Sequence, residues 1–546
     1  MPALVLGPIL RYVSDTEATV WVQTDIACEV EILGRKARTF AVGPRHYALV
    51  VLRDLQPGSS TEYEVALDGE RQWPVPDSPF PPSRIQTLPD VGAVRILWGS
   101  CRVARPHGGS YALDKEQHPE GVGVDALHAL VLRMREQPHD EWPALALLIG
   151  DQVYADEVSP QTLGRIRARR DTSREPGEEV LDIDEYTMLY EESWGDPSIR
   201  WLLSTVGSAM MFDDHDVHDD WNTSDAWVRD MRATSWWHER IVSALVTYWV
   251  YQHMGNLSPD ELDADPLYRR VVSAEDAEPV LRQHAEDADR NEGGRLWSFS
   301  RRIGRTRLVV LDGREGRVLS GPHREMMDPD EWSWLERQLH GDHDHVLIAG
   351  TLPVLLAPTL HWVEAWNEAV CAGGWGQWAR RPGESLRRAL DLEHWAAFQD
   401  SFHRLIELVG ATGSGARGTA PAAIVMLGGD VHQSYVERVS FPAEAGVTSA
   451  VYQAVCSPFR NQLAKRERRL LGIARRSRLA RRLARRLALS AGVREPVIRW
   501  DVVEQPTWRN QLGWLRIDGR ELELTIEGTP ASHAPALAPT LQLRVV

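Results

Sequence analysis

The order of apolar and polar positions divides the chain into stretches of two kinds. From Leu4 to Thr87 they alternate, as in ATVWVQT, CEVEIL and TEYEVAL, with turn chemistry at LQPGSS and LDGE. Period-two alternation predicts half-buried antiparallel strands, hence a small all-β sandwich domain over residues 1–88. The Pro-rich WPVPDSPFPPS reads as its closing linker. Beyond Val94 the pattern changes. VRILWGSC, ALALLIGDQVYAD, RLVVLDGRE, HVLIAGTL and AAIVMLGGDVHQS are short apolar runs that stop abruptly at polar residues, the signature of strands buried on both faces. Helical stretches such as VDALHALVLRMREQ lie between them. Residues 89–459 therefore read as an α/β core, and the stretch GWLRIDGRELELTIEG within 495–546 as strands that close it.

Ligands of open α/β sheets bind beyond the carboxyl ends of strands. Those ends carry Cys101 after ILWGS, Asp151 and Tyr154 after LLIG, Asp214 and His215 after MMFD, and Asp430 and His432 after MLGG. Carboxylate, imidazole, thiolate and phenolate are transition-metal ligands, and one carboxylate can bridge two ions. A lone Gly-Asp or Asp-His after a strand is a common turn; four in succession point to a dinuclear or larger metal centre. The densest piece, MFDDHDVHDDWN from Met211 to Asn222, holds five aspartates and two histidines. Carboxylates crowded this closely behind an apolar strand need cations or donors to be buried together.

Composition narrows the partners. The 546 residues are 43% hydrophobic and 25% charged, ordinary for a globular chain of two or three domains. Four scattered cysteines, Cys28, Cys101, Cys371 and Cys456, have no CxxC spacing and fit a reducing compartment. No apolar run reaches membrane-spanning length and MPALVLGPILRYV lacks a basic leader, so the expected location is cytoplasmic. The formal charge of −17 is unevenly placed. Residues 460–494 hold thirteen Lys or Arg against one acid, Glu467, and the rest is correspondingly more acidic. An acidic body disfavours nucleic acid as a partner. Within the basic segment, Leu470, Ile473, Ser477, Ala480, Leu483 and Leu487 recur at steps of three or four. This predicts an amphipathic helix over 462–490 that meets an anionic membrane surface or another polyanion, or docks on the acidic body near SPDELDADP.

In order and context, GSC (99–101), GDQVYAD (150–156), FDDHDVHDDW (212–221) and GGDVHQS (428–434) resemble the motifs of the alkaline phosphatase D (PhoD-like) metallophosphatases. GPILRYVSDTEATVWVQT resembles that family's amino-terminal sandwich, and VVLDGREGR its Asp-x-Arg segment. GDQVY is also similar to the Gly-Asp-x-x-Tyr pattern of purple acid phosphatases, where tyrosinate binds ferric iron. The resemblance implies a metallophosphoesterase-like αββα core and an Fe3+ and Ca2+ centre, with Asp151 bridging and Cys101, Tyr154, Asp214, Asp430 and His432 as ligands. One departure is notable: Asp219 and Asp220 stand where relatives commonly carry Asn-Asn. The extra charge favours a hard divalent ion as the second metal.

Two cations flanking a carboxylate lower the pKa of water and neutralise phosphoryl oxygens during in-line attack. The expected activity is therefore hydrolysis of phosphomonoesters or phosphodiesters by metal-activated hydroxide. His215, held by Asp216, is the expected proton donor to the leaving group. Arg314 and Arg102 either grip the substrate phosphate or form salt bridges to neighbouring acids. Trp362, Trp366 and Trp375 lie in a Gly/Trp-rich stretch that could wall the site, and ATGSGARGTA (411–420) reads as a flexible loop. The alternative from another class is an anionic-lipid or polyanion-binding protein with a structural metal site, in which the arginine helix does the work.

Overall fold

The alternating amino-terminal region folds into two four-stranded antiparallel sheets. Leu4–Val13, Ala18–Thr24, Arg45–Leu52 and Phe40–Val42 form one, and Arg35–Arg38, Glu29–Ile32, Val65–Leu67 and Glu70–Trp73 the other. Val20, Val22, Val30, Val65 and Leu67 meet between them, the inward set that the period of two demands. The computed structural model describes residues 1–89, 92–290, 296–320 and 324–546, apart from the side chains of 467, 470, 471, 473, 474 and 476.

The core contains strands β1 (Val94–Gly99), β2 (Leu145–Ile149), β3 (Gly207–Met211), β4 (Phe299–Ile303), β5 (Thr306–Leu311), β6 (His345–Gly350), β7 (Ala423–Gly428), β8 (Tyr435–Ser440), β9 (Ala450–Val455), β10 (Arg499–Val502), β11 (Gln511–Asp518), β12 (Glu521–Gly528) and β13 (Ala538–Arg544). One sheet has the order β3-β2-β1-β11-β12-β13 and the other β4-β5-β6-β7-β9-β8-β10. Strands β1 to β3 run parallel, as do β5, β6, β7 and β9. The late strand β11 pairs antiparallel with β1 from Val94↔Ile517 to Trp98↔Gly513, so the end of the chain extends the first sheet.

Apolar residues along the parallel strands divide between two cores. Leu308, Val310, Leu347, Ala349, Val425 and Leu427 join the main core with Leu97, Leu147 and Met210 of the other sheet. Val309, Leu311, Val346, Ile348 and Met426 face outward onto Trp332, Leu335, Phe402, Leu405 and Val409 of the covering helices. Burial on both faces is the physical reason these runs are continuously apolar. The layering is mixed α/β, with the two sheets facing one another and helices outside.

The sandwich is joined to the core through polar as well as apolar contacts. Trp21 Nε1 donates to the Val250 carbonyl at 2.9 Å, and the Tyr47 and Tyr251 hydroxyls meet at 3.0 Å. The fully buried Arg11 donates to the carbonyls of Tyr251 and Gln252 and to Asn256 Oδ1. Three acceptors from one loop thus depend on a guanidinium from the other domain.

Two local expectations change. Residues 411–413 complete the helix Gln399–Gly413, and the following turn is tied down by Arg417 Nη2 donating to the Glu336 carbonyl. Gly418 lies so close to the Gly341 backbone that a Cβ would sit 2.2 Å from its carbonyl oxygen, so this is a packed connection. Trp362, Trp366 and Trp375 pack at helix contacts rather than walling a cleft.

Replacing Arg11 by Met should lower the thermal unfolding midpoint, because it leaves buried carbonyls without donors. The expected loss is about 2–4 kcal/mol, measurable by calorimetry beside the native chain.

Candidate metal centre

Every parallel strand delivers a polar residue at its carboxyl end. β1 leads to Cys101, β2 to Asp151, β3 to Asp213 and Asp214, β5 to Arg314, β6 to Thr351, β7 to Asp430 and His432, and β9 to Ser457. The loops are stitched across the sheets: Ser100 Oγ accepts from the Asp430 amide at 2.9 Å, Gly429 N donates to the Thr351 carbonyl at 2.8 Å, and Thr351 Oγ1 donates to Asp213 Oδ1 at 3.0 Å. Cys101, Asp151, Asp430 and His432 all adopt left-handed backbone, with φ of 58°, 51°, 61° and 48°. Such conformations cost energy in residues with a side chain and concentrate where surrounding structure imposes a function. Gly150, with φ of 105°, meets a second limit, since a Cβ there would lie 2.8 Å from that of Asp213.

Two groups of ligand atoms converge. Cys101, Asp151 and His432 form one and Asp151, Asp213 and Asp214 the other, each with its ligand atoms within 4.8 Å of one another. Asp151 belongs to both. It is fully buried, Oδ2 accepts from the Tyr154 hydroxyl at 3.2 Å, and Oδ1 has no donor. Asp213 Oδ2 is equally buried and unpartnered. Orphaned carboxylate oxygens at this depth are costly unless a cation compensates them. The donor set fits metal: thiol, phenol, imidazole and carboxylate on one side, carboxylates alone on the other.

Electrostatics agree with that fit. Burial pushes the Asp151 and Asp430 carboxyls well above the usual carboxylate range, and neighbouring aspartates push further. Burial, the largest single influence, would do the same to Asp214, but the Arg314 guanidinium, His215 and the amides of Asp220 and His215 together outweigh it and hold the group down to about 2. At the rim, burial and then adjoining carboxylates raise Asp219 to about 6 and Asp220 to about 8. The floor is closed, while His215 and Asp430 keep about a fifth of their side chains exposed and form the mouth.

Residues 129–475 match the PhoD-like phosphatase family, and residues 1–85 match a domain of unknown function, DUF7800. The chain belongs to the PhoD-like phosphatase family. Its fold is similar to the solved structure of PhoD, with a TM-score of 0.58 at 12% identity over 100% of this chain and 92% of that one. A purple acid phosphatase, PPD1 from yellow lupin (Lupinus luteus) seeds, shows a weaker likeness, with a TM-score of 0.48 at 11% identity over 97% of this chain and 73% of that one. A comparison with curated proteins finds no match.

Within this PhoD-like site, one expected pairing does not form. Asp216 does not hold His215. It is buried beneath the centre, where Oδ2 accepts from the Asp151 amide at 3.0 Å and the Asp213 amide at 2.9 Å, and Oδ1 from Gln252 Nε2 at 3.1 Å. The partner of His215 Nδ1 is Asp156, whose oxygens lie 2.9 and 3.0 Å away. Burial opposes charge on His215, yet the Asp156 carboxylate lifts it well above its ordinary value. Arg314, fully buried, is committed to Asp213 through Nε, to Glu393 through Nη1 at 2.7 Å and to Asp214 through Nη2 at 3.2 Å. Arg102 is tied to Asp125 at 2.9 Å and to the Ser193 carbonyl at 3.0 Å. Both guanidiniums are thus engaged by the protein's own acceptors, the salt-bridge alternative of the two expected for them.

Sequence reasoning missed Asp156, Asp213, Glu393, His394 and Asn461. Asp156 and Asp213 stand inside the motifs already quoted. Asn461 Nδ2 donates to Tyr154 Oη at 3.3 Å, from a segment distinguished in sequence only by its arginines. His394 Nδ1 contacts Glu364 at 2.8 Å while Nε2 lies 3.7 Å from Asp430 Oδ2. Burial lowers its basicity, but Glu364 and Asp430 raise it to about 9 overall. Nothing in the helical run around Glu364 marks it as a partner.

Asp216→Ala should lower metal bound per chain and destabilise the fold by about 2–4 kcal/mol, since two buried amides lose their acceptor. Asp156→Asn should leave metal content unchanged. Elemental analysis of both purified variants separates the two roles.

Proposed function

We propose that this PhoD-like protein hydrolyses phosphomonoesters or phosphodiesters with the help of two or more metal ions. The observation that carries the reading is Asp151, one buried carboxylate shared by two groups of ligand atoms. Cys101, Tyr154, Asp151, Asp430 and His432 would hold an iron-type ion, and Asp151, Asp213 and Asp214 a harder one such as calcium. When bound, such ions acidify water and neutralise phosphoryl oxygens.

The remaining steps belong to side chains. His215, paired through Nδ1 with Asp156, keeps a proton available at Nε2 for the departing alkoxide at the mouth of the site. Arg314 keeps Asp213 and Asp214 from repelling one another while leaving Asp213 Oδ2 open. Asp216 fixes the turns that carry Asp151 and Asp213 by accepting both amides. The Tyr154 ring lies tilted against the His215 ring, with centroids 4.8 Å apart, and restricts its swing. All four cysteines are free thiols, which supports placing the protein in a reducing compartment such as the cytoplasm.

Protein supplied with iron and calcium should turn over an aryl phosphomonoester or an aryl phosphodiester, and chelation should stop it. Asp151→Asn should reduce kcat by at least about a thousandfold with the fold intact, and Asp156→Asn by about a hundredfold. Turnover retained in Asp151→Asn would overturn the shared-ligand role, and metal-loaded protein inert towards both esters would favour the binding-protein alternative.

A further inference from the structure

The basic segment forms two helices, Lys465–Arg476 and Arg478–Ser490, separated at Ser477, whose hydroxyl accepts from the Ala480 amide at 3.1 Å and so caps the second. Of the apolar positions expected to line one continuous face, Leu470 and Ile473 lie outside the described residues. The second helix settles how the rest are used. It does not dock near Ser258–Pro266, where Asp260 and Asp263 already pair with Arg53. Instead Ala484 and Ala488 pack on Trp362 and Ala365 of the helix Pro358–Ala372.

Successive helical residues turn by about 100°. Ala480, Ala484 and Ala488 therefore share one side, Leu479, Leu483 and Leu487 the adjoining strip, and Arg478, Arg481, Arg482, Arg485 and Arg486 the rest. Of these residues only Ala484 and Ala488 are buried. Leu479, Leu483 and Leu487 are 68%, 51% and 42% exposed. Four of the fifteen large apolar side chains exposed among the described residues belong to this one helix, Leu489 being the fourth. Among the described residues, Arg485 has an ion-pair partner, Glu495, whereas no acid is paired with Arg478, Arg481, Arg482 or Arg486. Trp378, 76% exposed, lies three residues from Trp375, which donates to Ser490 Oγ at the end of the same helix.

We propose that the leucine and arginine faces of Arg478–Ser490 form a docking surface for an anionic lipid bilayer. The leucine row enters the acyl boundary while the neighbouring arginines reach lipid phosphates, the division of labour of an interfacial helix. No described helix is long and apolar enough to cross a membrane, so the helix lies on the surface. Nucleic acid gives exposed leucines nothing to bury against. A second copy related by a twofold axis would bring arginines against arginines.

The test is co-sedimentation of the full-length chain with vesicles of phosphatidylglycerol and phosphatidylcholine, beside vesicles of phosphatidylcholine alone, at about 0.1 M salt. The native chain should bind the anionic vesicles selectively. L479S/L483S/L487S should weaken that binding at least about tenfold, and R481E/R482E/R486E should abolish it, both with turnover of a soluble aryl ester unchanged. Failure of the native chain to bind, or leucine substitution without effect, overturns the proposal. So does a native dimer that the leucine substitutions dissociate, since the row would then cover a second copy.

Discussion

Too many carboxylates meet at one buried point, and the rest of the centre is arranged around that excess. Asp151, Asp213, Asp214 and Asp430 converge there, and Arg314 is the guanidinium placed among them, its fork divided between Asp213, Asp214 and Glu393. Arg314 by itself cannot neutralise four carboxylates, and buried oxygens of Asp151 and Asp213 stay without donors. Bound cations would supply what the side chains do not. Left-handed backbone at Cys101, Asp151, Asp430 and His432, after three of the strands, helps to turn these side chains towards one another.

The support beneath them reaches across the domain boundary. Asp216 accepts the amides of Asp151 and Asp213 and is itself held by Gln252, whose carbonyl accepts from Arg11 of the sandwich. The amino-terminal domain is thus joined to the centre by consecutive hydrogen bonds through buried groups, each costly to break alone. Beyond bringing the two sheets together, Ser100, Thr351 and Ser457 connect strand ends that are hundreds of residues apart in sequence.

The His215–Asp156 pair and the buried carboxylate cluster are spatially separate parts of this site. His215 and Asp156 sit at the mouth, partly accessible, while Asp216 lies beneath. Adjacent letters in DDHD thus serve opposite sides of one turn. The second polar histidine, His394, approaches Asp430 from a helical layer with its own carboxylate, Glu364, so the mouth is bordered by two histidine–carboxylate pairs of unrelated origin.

Much of this was legible before any folding. Continuous apolar runs ending in polar residues declared strands buried on both faces, because a strand covered on both faces cannot alternate, and their ends named Cys101, Asp151, Tyr154, Asp214, His215, Asp430 and His432 as a set. The family motifs supplied the chemistry of that set. What the sequence could not decide was pairing. Whether Asp156 or Asp216 holds His215, whether Arg314 and Arg102 face substrate or protein, and which apolar residues of the arginine helix are covered depend on atoms brought together from distant segments. Linear spacing records the period of an element and the residues available at its end. Only tertiary packing decides which donor reaches which acceptor and which face is left to solvent, because each is a competition among partners that meet only in the folded chain.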